Sequence, residues 1–393
     1  MKRYILMTSL AFVALTVGAQ TSIDEVLRSV ETNNKELQAN RQMITAQKLD
    51  AKLDNNLADP SVSYTHQYGN KEGMGIQGEL VASQSFDFPS VYVQKNKLSK
   101  AKGITFDHQG AEVRQQILLQ AKEVCLDLVL LNQQKGLLDQ RLQNAEQLSS
   151  LYEMRLNNGD ANILETNKIN LELLNSRNEA RMNEAARVAK LHELATLNGG
   201  VAINFTDTAY VPVEMPLSFV DLKQEAVSGN RQLLSLESEK AAALRQLSVS
   251  KSKGLPGFEL GYRLNTAAGG ERFNGFLVGI SIPLFSNRNN VKQAKAQTLY
   301  TDLQLESTTS VVENELLQLY NQSVALKTSI DEYNRVLKSQ NNMALLNKAI
   351  QSGQISMIEY FVDITTLYQS MQNQMLLQNE YQKVMAQIYK YRL

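Results

Sequence analysis

Three histidines, a single cysteine and a scatter of carboxylates are the residues of this 393-residue chain that could hold a metal or move protons. His66, His108 and His192 lie far apart, without the short spacing that places two ligands on one turn, and read as structural. Cys125 falls within an apolar helical pattern and reads as a buried structural thiol; as the sole cysteine it has no partner for an internal disulfide. The 12 methionines form no cluster that would relay a metal. No Ser/His/Asp set, Cys/His pair or phosphate-cradling loop is present, so no cofactor is expected and the chain does not read as an enzyme. Lys and Arg total 40 against 40 Asp and Glu, with no basic patch, which argues against a nucleic-acid partner.

Two carboxylates stand out by context. Asn162-x-x-Glu165 and Ser356-x-x-Glu359 both fit a capping box at a helix start, where the helix dipole also favours negative charge. Each follows a glycine, Gly159 or Gly353, that suits the end of the preceding helix. These turns sit at matching places in two halves of the chain. NNKEL (33–37) answers GNRQL (229–233), and LADPSVSYTHQY (57–68) answers KGLPGFELGYRL (253–264). SQSFDFPS (83–90) answers GISIPLFS (279–286), and LYEMRLNNGDANILE (151–165) answers LLNKAIQSGQISMIE (345–359).

The expected domains are a signal peptide at 1–19, a first repeat at 20–197, a turn-rich linker at 198–217 containing Pro212 and Pro216, and a second repeat at 218–393. Each repeat reads as helix, strand, strand, long helix, turn, helix. The helices are expected at 22–57, 91–156 and 162–197, then 218–252, 288–351 and 356–391. The long ones carry a heptad seam: Ile117, Ala121, Val124, Leu128, Leu131, Lys135, Leu138, Leu142 and Ala145 in the first. Val312, Leu316, Leu319, Ser323, Leu326, Ile330, Tyr333, Leu337, Gln340 and Ala344 form the second. A helix of about 65 residues is roughly 100 Å long, about the sum of the two shorter helices of its repeat.

The strands are expected at 61–69, 76–88, 257–264 and 274–285. In GLPGFELGYRL, Phe258, Leu260, Tyr262 and Leu264 alternate with Glu259, Gly261 and Arg263. Phe276, Val278, Ile280, Ile282 and Leu284 repeat the pattern, as do Val62, Tyr64, His66 and Tyr68. Ten-residue segments with one apolar face mark outer-membrane β-strands. A small soluble sheet packed on a helix has a similar pattern, but no amphipathic helix is left over to cover this face. Four strands do not close a barrel, and lipid tolerates no open edge, so several chains must pool their strands.

The opening MKRYILMTSLAFVALTVGAQ has the basic, apolar and small-residue regions of a cleavable secretory signal, cut after Ala19. No later apolar run approaches the length of a spanning helix.

Together these features resemble the TolC family of outer-membrane efflux and secretion channels, over essentially the whole mature chain. The resemblance rests on the tandem halves, on ADP (58–60) opening the first hairpin, and on SQSFDFPS and SIPLFS closing the two hairpins. The tip motifs RLNNGDANILE and AIQSGQISMIE complete it. It implies a mainly α fold with long antiparallel coiled-coil helices forming a periplasmic α-barrel. Four β-strands per chain would contribute to a 12-stranded outer-membrane β-barrel in a homotrimer. It implies an outer-membrane exit duct extending into the periplasm, coupled to a periplasmic adaptor (membrane fusion protein) and an inner-membrane pump for efflux or type I secretion. Asn158, Gly159, Ser352 and Gly353 would be adaptor-contact tips. Glu165 and Glu359 would line the periplasmic aperture, with Asp363 one position later than the family's second acid. Glu259 and Arg263 would face the lumen and the opposite strand face outer-membrane lipid. The chain departs from lipid-anchored members in having no cysteine after the cleavage site. The alternative reading is a periplasmic coiled-coil adaptor or structural protein with a soluble β-domain. Drugs, metal ions and proteins all stay open as exported substrates.

Overall fold

The computed structural model describes residues 22–214, 218–338 and 342–393. The expected signal peptide at 1–19, the linker residue Pro216 and the seam residue Gln340 lie outside these. The elements in chain order are α1 (Ile23–Asn33), α2 (Lys35–Leu53), β1 (Ser61–Tyr68), β2 (Ile76–Phe86), α3 (Pro89–Asn157) and α4 (Ile163–Leu197). They continue as α5 (Phe219–Gly229), α6 (Arg231–Ser252), β3 (Gly257–Thr266), β4 (Arg272–Ser281), α7 (Asn290–Lys338), α8 (Asn342–Gln351) and α9 (Met357–Ile388). A short 3₁₀ turn, Lys390–Arg392, closes the chain. The mainly helical fold with four strands is as expected.

The first helix of each half, expected unbroken, is interrupted. Asn34 (φ −59°, ψ 124°) stands between α1 and α2, and Asn230 (φ −66°, ψ 117°) between α5 and α6. Each carboxamide accepts a hydrogen bond from the amide three residues on, Leu37 at 2.9 Å and Leu233 at 3.0 Å. A buried asparagine that caps the next helix outcompetes continuation of the previous one. Three of the strands, β1, β2 and β4, end earlier than expected, while β3 runs on to Thr266. Pro89 starts α3 at its first turn, where its missing N–H costs nothing. Pro283 has no N–H to give a ladder, and the Leu284 amide turns back onto the Ile282 carbonyl at 2.9 Å, so β4 stops at Ser281.

The chain divides into two compact units. One comprises Asn34–Gln120, Val213–Thr328 and Lys383–Leu393 and holds the sheet. There α2 lies along α3, with Gly110 beneath Ile44 and Lys48 2.6 Å from Asp107. In the same way α6 lies along α7, with Lys240 paired to Asp302. The sheet is antiparallel in the order β1-β2-β3-β4, leaving β1 and β4 as its edges. Its register places Val62, Ala82, Tyr262 and Phe276 in one row and Phe86, Phe258 and Ile280 in another, all on one face. That face is uncovered: Val62 is 72%, Phe276 93% and Val278 75% exposed.

The other unit comprises the described residues up to Asn33, Ala121–Pro212 and Ser329–Gln382. The α3 seam is buried at Ala121, Val124, Leu128, Leu138 and Ala145. Lys135, expected within it, is exposed and paired with Asp139 at 2.7 Å, because a charged head reaches water where an apolar residue would pack. Fully buried Asn198 ties the end of α4 to α1, accepting from Ser29 at 2.9 Å and Asn33 at 3.2 Å. Gly199, at φ +68°, follows it where any Cβ would collide with the Asn33 carbonyl. The segment beyond is pinned by Asn132 and Gln133, which donate to the carbonyls of Asp207 and Thr208 at 2.9 and 2.8 Å, and by Phe205, which is fully buried.

Phe205→Ala should therefore destabilise this unit by about 3–5 kcal/mol. The change Thr206→Ala at its exposed neighbour should stay within about 0.5 kcal/mol. Thermal unfolding of the detergent-solubilised protein reads both.

Candidate functional site

The two tips are built alike. At the end of α3 the amides of Gly159 and Asp160 donate to the carbonyls of Leu156 (3.1 Å) and Arg155 (2.7 Å). At the end of α8 the amides of Gly353 and Gln354 donate to Ile350 (3.2 Å) and Ala349 (2.9 Å). This paired pattern closes a helix on a left-handed residue, and the glycines supply it at φ +82° and +69°. A Cβ at either glycine would meet nothing within 4 Å, so the demand there is on backbone conformation and not on space. Asn158, Gly159, Ser352 and Gly353 are all exposed.

The next helices start with the expected boxes. The Asn162 side chain accepts from the Leu164 amide at 2.9 Å, while Glu165 accepts from the Asn162 amide at 3.3 Å. Glu359 accepts from the Ser356 amide at 2.8 Å, and the Ser356 hydroxyl accepts from the Glu359 amide at 3.2 Å. Both carboxylates thus sit within one turn of the tips as caps. Asp363, one helical turn after Glu359, is exposed.

Beneath the tips one core joins the two hairpins: Leu148, Tyr152 and Ile169 pack with Ile350, Met357, Tyr360 and Ile364. The Tyr360 hydroxyl donates to Asn347 at 2.8 Å, and burial raises its pKa. Deeper in, Arg141 bridges Glu172 (2.8 Å) and Glu179 (2.7 Å) and lies 5.3 Å from the Tyr368 ring. Its burial opposes the charge, but the Glu172 hydrogen bond and the two carboxylates outweigh it and hold the guanidinium above its ordinary pKa. Sequence reasoning missed this cluster, although the heptad spacing of Glu172 and Glu179 on α4 was there to see.

On the sheet, Glu259 and Arg263 share the face opposite the apolar one, as their alternation requires. Arg263 Nε lies 3.0 Å from Glu79 Oε1, a partner the sequence reading did not name. Cys125 is fully buried, its thiol pushed up to about 12 by burial and by the charge of Asp207. Among the described residues no three or more His, Cys, Asp or Glu side chains converge as metal ligands, and no helix is long and apolar enough to cross a membrane.

Residues 222–391 match the family model of the outer membrane efflux protein. That match lies within the second half of the chain. No curated protein matches the chain. Its fold is that of solved outer-membrane channels. CusC, described for folding and transmembrane channel formation, is 16% identical, with 94% of this chain and 91% of that chain covered at a TM-score of 0.77. A membrane protein from Pseudomonas aeruginosa is 14% identical over 94% and 93% of the two chains at 0.78. The outer membrane protein VceC from Vibrio cholerae is 13% identical over 94% and 95% at 0.75. The resemblance to TolC-family channels read from the sequence is borne out.

The box at the start of α9 has a pH signature. Hydrogen bonds from the Ser356 amide and hydroxyl to Glu359 lower the pKa of this exposed carboxyl. Its capping contribution is therefore complete above the ordinary glutamate value and is lost as pH falls through the lowered one. In a carboxyl-resolved NMR titration, Glu359 should titrate below the exposed glutamates, and Ser356→Ala should move it up towards them.

Proposed function

We propose that this chain is the protomer of a passive outer-membrane exit duct, working in tripartite efflux or type I secretion. The observation that carries the reading is an open four-stranded sheet with one face apolar and uncovered, on a chain with the fold of outer-membrane channels. A soluble sheet would hide that face beneath a helix. Here β1 and β4 end the sheet, and inside hydrocarbon each edge must find a strand. Three copies pairing β4 with β1 give a closed barrel of twelve strands. The ten-residue strands, at about 3.3 Å per residue and about 40° tilt, stand roughly 25 Å high, the height of an outer-membrane apolar band. In this reading the residues at 1–19 export the chain and are removed, placing it in the cell outer membrane with its helices in the periplasm.

The domain plan of two repeats, 20–197 and 218–393 around the linker 198–217, belongs to the same proposal. It is supported by matching asparagine breaks at Asn34 and Asn230 and by matching tip closures at Gly159 and Gly353. In the assembled duct the exposed tips at Asn158, Gly159, Ser352 and Gly353 meet the periplasmic adaptor, which links to an inner-membrane pump. Glu165, Glu359 and Asp363 gather at the periplasmic aperture, where the first two keep their capping role. A capping carboxylate held at a tip still carries its charge, so the two roles coexist.

The barrel is tested on opposite faces of one strand. Leu260→Arg places a cation on the lipid side, at a cost of roughly 2–4 kcal/mol near mid-membrane, and should abolish detergent-resistant oligomers in the outer-membrane fraction. Glu259→Gln, on the other face, should assemble normally. Equal assembly of both would support the soluble adaptor reading instead.

The tips are tested by Asn158→Trp and Ser352→Trp. Efflux should fail while oligomers persist in the membrane, read by substrate accumulation alongside fractionation. Normal efflux would remove the tips from the adaptor contact.

A further inference from the structure

The face of the sheet opposite the apolar one carries few charges, and their pairing follows from the register. On that face β1 presents Ser61, Ser63, Thr65 and Gln67, and β4 presents Phe273, Gly275, Leu277, Gly279 and Ser281, none of them ionisable. Glu79 is the charge on β2; Glu259 and Arg263 are those on β3. Glu79 and Arg263 are spent on each other at 3.0 Å. The next acid along β2, Asp87, lies just past the strand and is paired with Lys95 at 2.8 Å. Glu259 is left as the strand charge with no ionic partner among the described residues.

Its neighbours keep it that way. In the row of Glu259 the flanking positions are Ser85 and Gly279. A Cβ on Gly279 would come within 3.3 Å of Glu259 Oε2, so on the β4 side the carboxylate lies over bare backbone. The adjoining row brings Ser83, Gly261 and Leu277, and the row beyond it holds Val81, Arg263 and Gly275. Ser85, Gly279, Ser83 and Gly261 are small, so Glu259, although half-buried in the single chain, has no bulky side chain other than Leu277 between its carboxylate and whatever fills the barrel.

We propose that Glu259 sets the ion preference of the sheet-lined stretch of the channel, making it cation-selective. The inference rests on the barrel reading above, which turns one carboxylate per chain into a ring of three. A 12-stranded barrel with strands about 4.8 Å apart and tilted about 40° is roughly 24 Å across between backbones. Carboxylates reaching inward from that wall act over a lumen comparable with the Debye length, about 8 Å at 0.15 M and about 30 Å at 0.01 M salt. Their fields overlap, and cations concentrate between them. The Glu79–Arg263 pair contributes no net charge, so each chain presents a single negative charge on this face. The preference therefore depends on three residues in opposite senses: losing Glu259 or Glu79 lowers it, and losing Arg263 raises it.

The test is the reversal potential of the purified protein in planar bilayers under a KCl gradient, at high and low salt. The parent should favour K⁺, more so at low salt. Glu259→Gln should cut the K⁺/Cl⁻ permeability ratio roughly threefold near 0.1 M. Glu79→Gln, which frees Arg263, should cut it similarly, and Arg263→Gln should raise it. Glu165→Gln/Glu359→Gln, made for comparison, should leave the response to Glu259→Gln in place. A parent that opens no channel would overturn the barrel reading itself. Channels whose ratio is unmoved by Glu259→Gln, or moved the same way by Glu79→Gln and Arg263→Gln, would overturn the assignment while leaving the barrel standing.

Discussion

An antiparallel sheet of four strands has two free edges, and here it also has a face of Val62, Tyr64, Phe258, Leu260, Phe276 and Ile280 that no element among the described residues covers. Water tolerates free edges but penalises such a face; hydrocarbon rewards the face but forbids the edges. In the proposed barrel, closure with strands from other copies meets both conditions at once. Much of the local design follows from this. The two halves must each supply one hairpin, so β2 of the first pairs with β3 of the second across a large sequence separation. In the proposed barrel the opposite face lines a wet lumen, which its serines, glycines and paired charges suit. Gly78 lies where the Tyr64 hydroxyl and the Thr266 hydroxyl both lean in, 2.8 Å from where its Cβ would be, so even the apolar face needs a bare position near its outer end.

The helices meet a different constraint: long elements must bend or stop where the chain needs them to, and polar side chains decide where. Asn34, Asn230, Asn162 and Ser356 each satisfy amides at a helix start, and Gly159, Gly199 and Gly353 each close a helix end. None of these contributions is large, typically about 1 kcal/mol for a cap. Their value is positional. Glu165 and Glu359 are held at the tips by the same hydrogen bonds that start α4 and α9, so any role they have at an aperture has its geometry supplied by the cap.

What was legible in the sequence was whatever repeats locally. Period-two alternation gave the strands to within a few residues, and glycine followed by a capping box gave both tips. The asparagine breaks were in view, inside the very pentapeptides NNKEL and GNRQL used to align the halves, but helical periodicity on both sides masked them. Lys135 matched the heptad spacing and still points to solvent, because spacing says nothing about whether a partner is there to receive the side chain. The Glu79–Arg263 pair and the Arg141 cluster were beyond reach for a further reason. Each joins elements whose register is set by the assembled fold, and nothing in the local pattern of Glu79 distinguishes it from any lumen-facing acid.

Composition and pairing together bear on how such a duct would conduct. Transport through a pore requires surfaces that attract cargo enough to admit it and too weakly to keep it. A chain with 40 basic and 40 acidic residues has charge in abundance, yet this face of the sheet shows little of it. Pairing Glu79 with Arg263 and Asp87 with Lys95 leaves the wall close to neutral. One open carboxylate per chain on such a wall biases which ions are near without giving any of them a multi-ligand site. In the proposed duct such a wall would act on ion populations and leave recognition of particular cargo to the partners that load it.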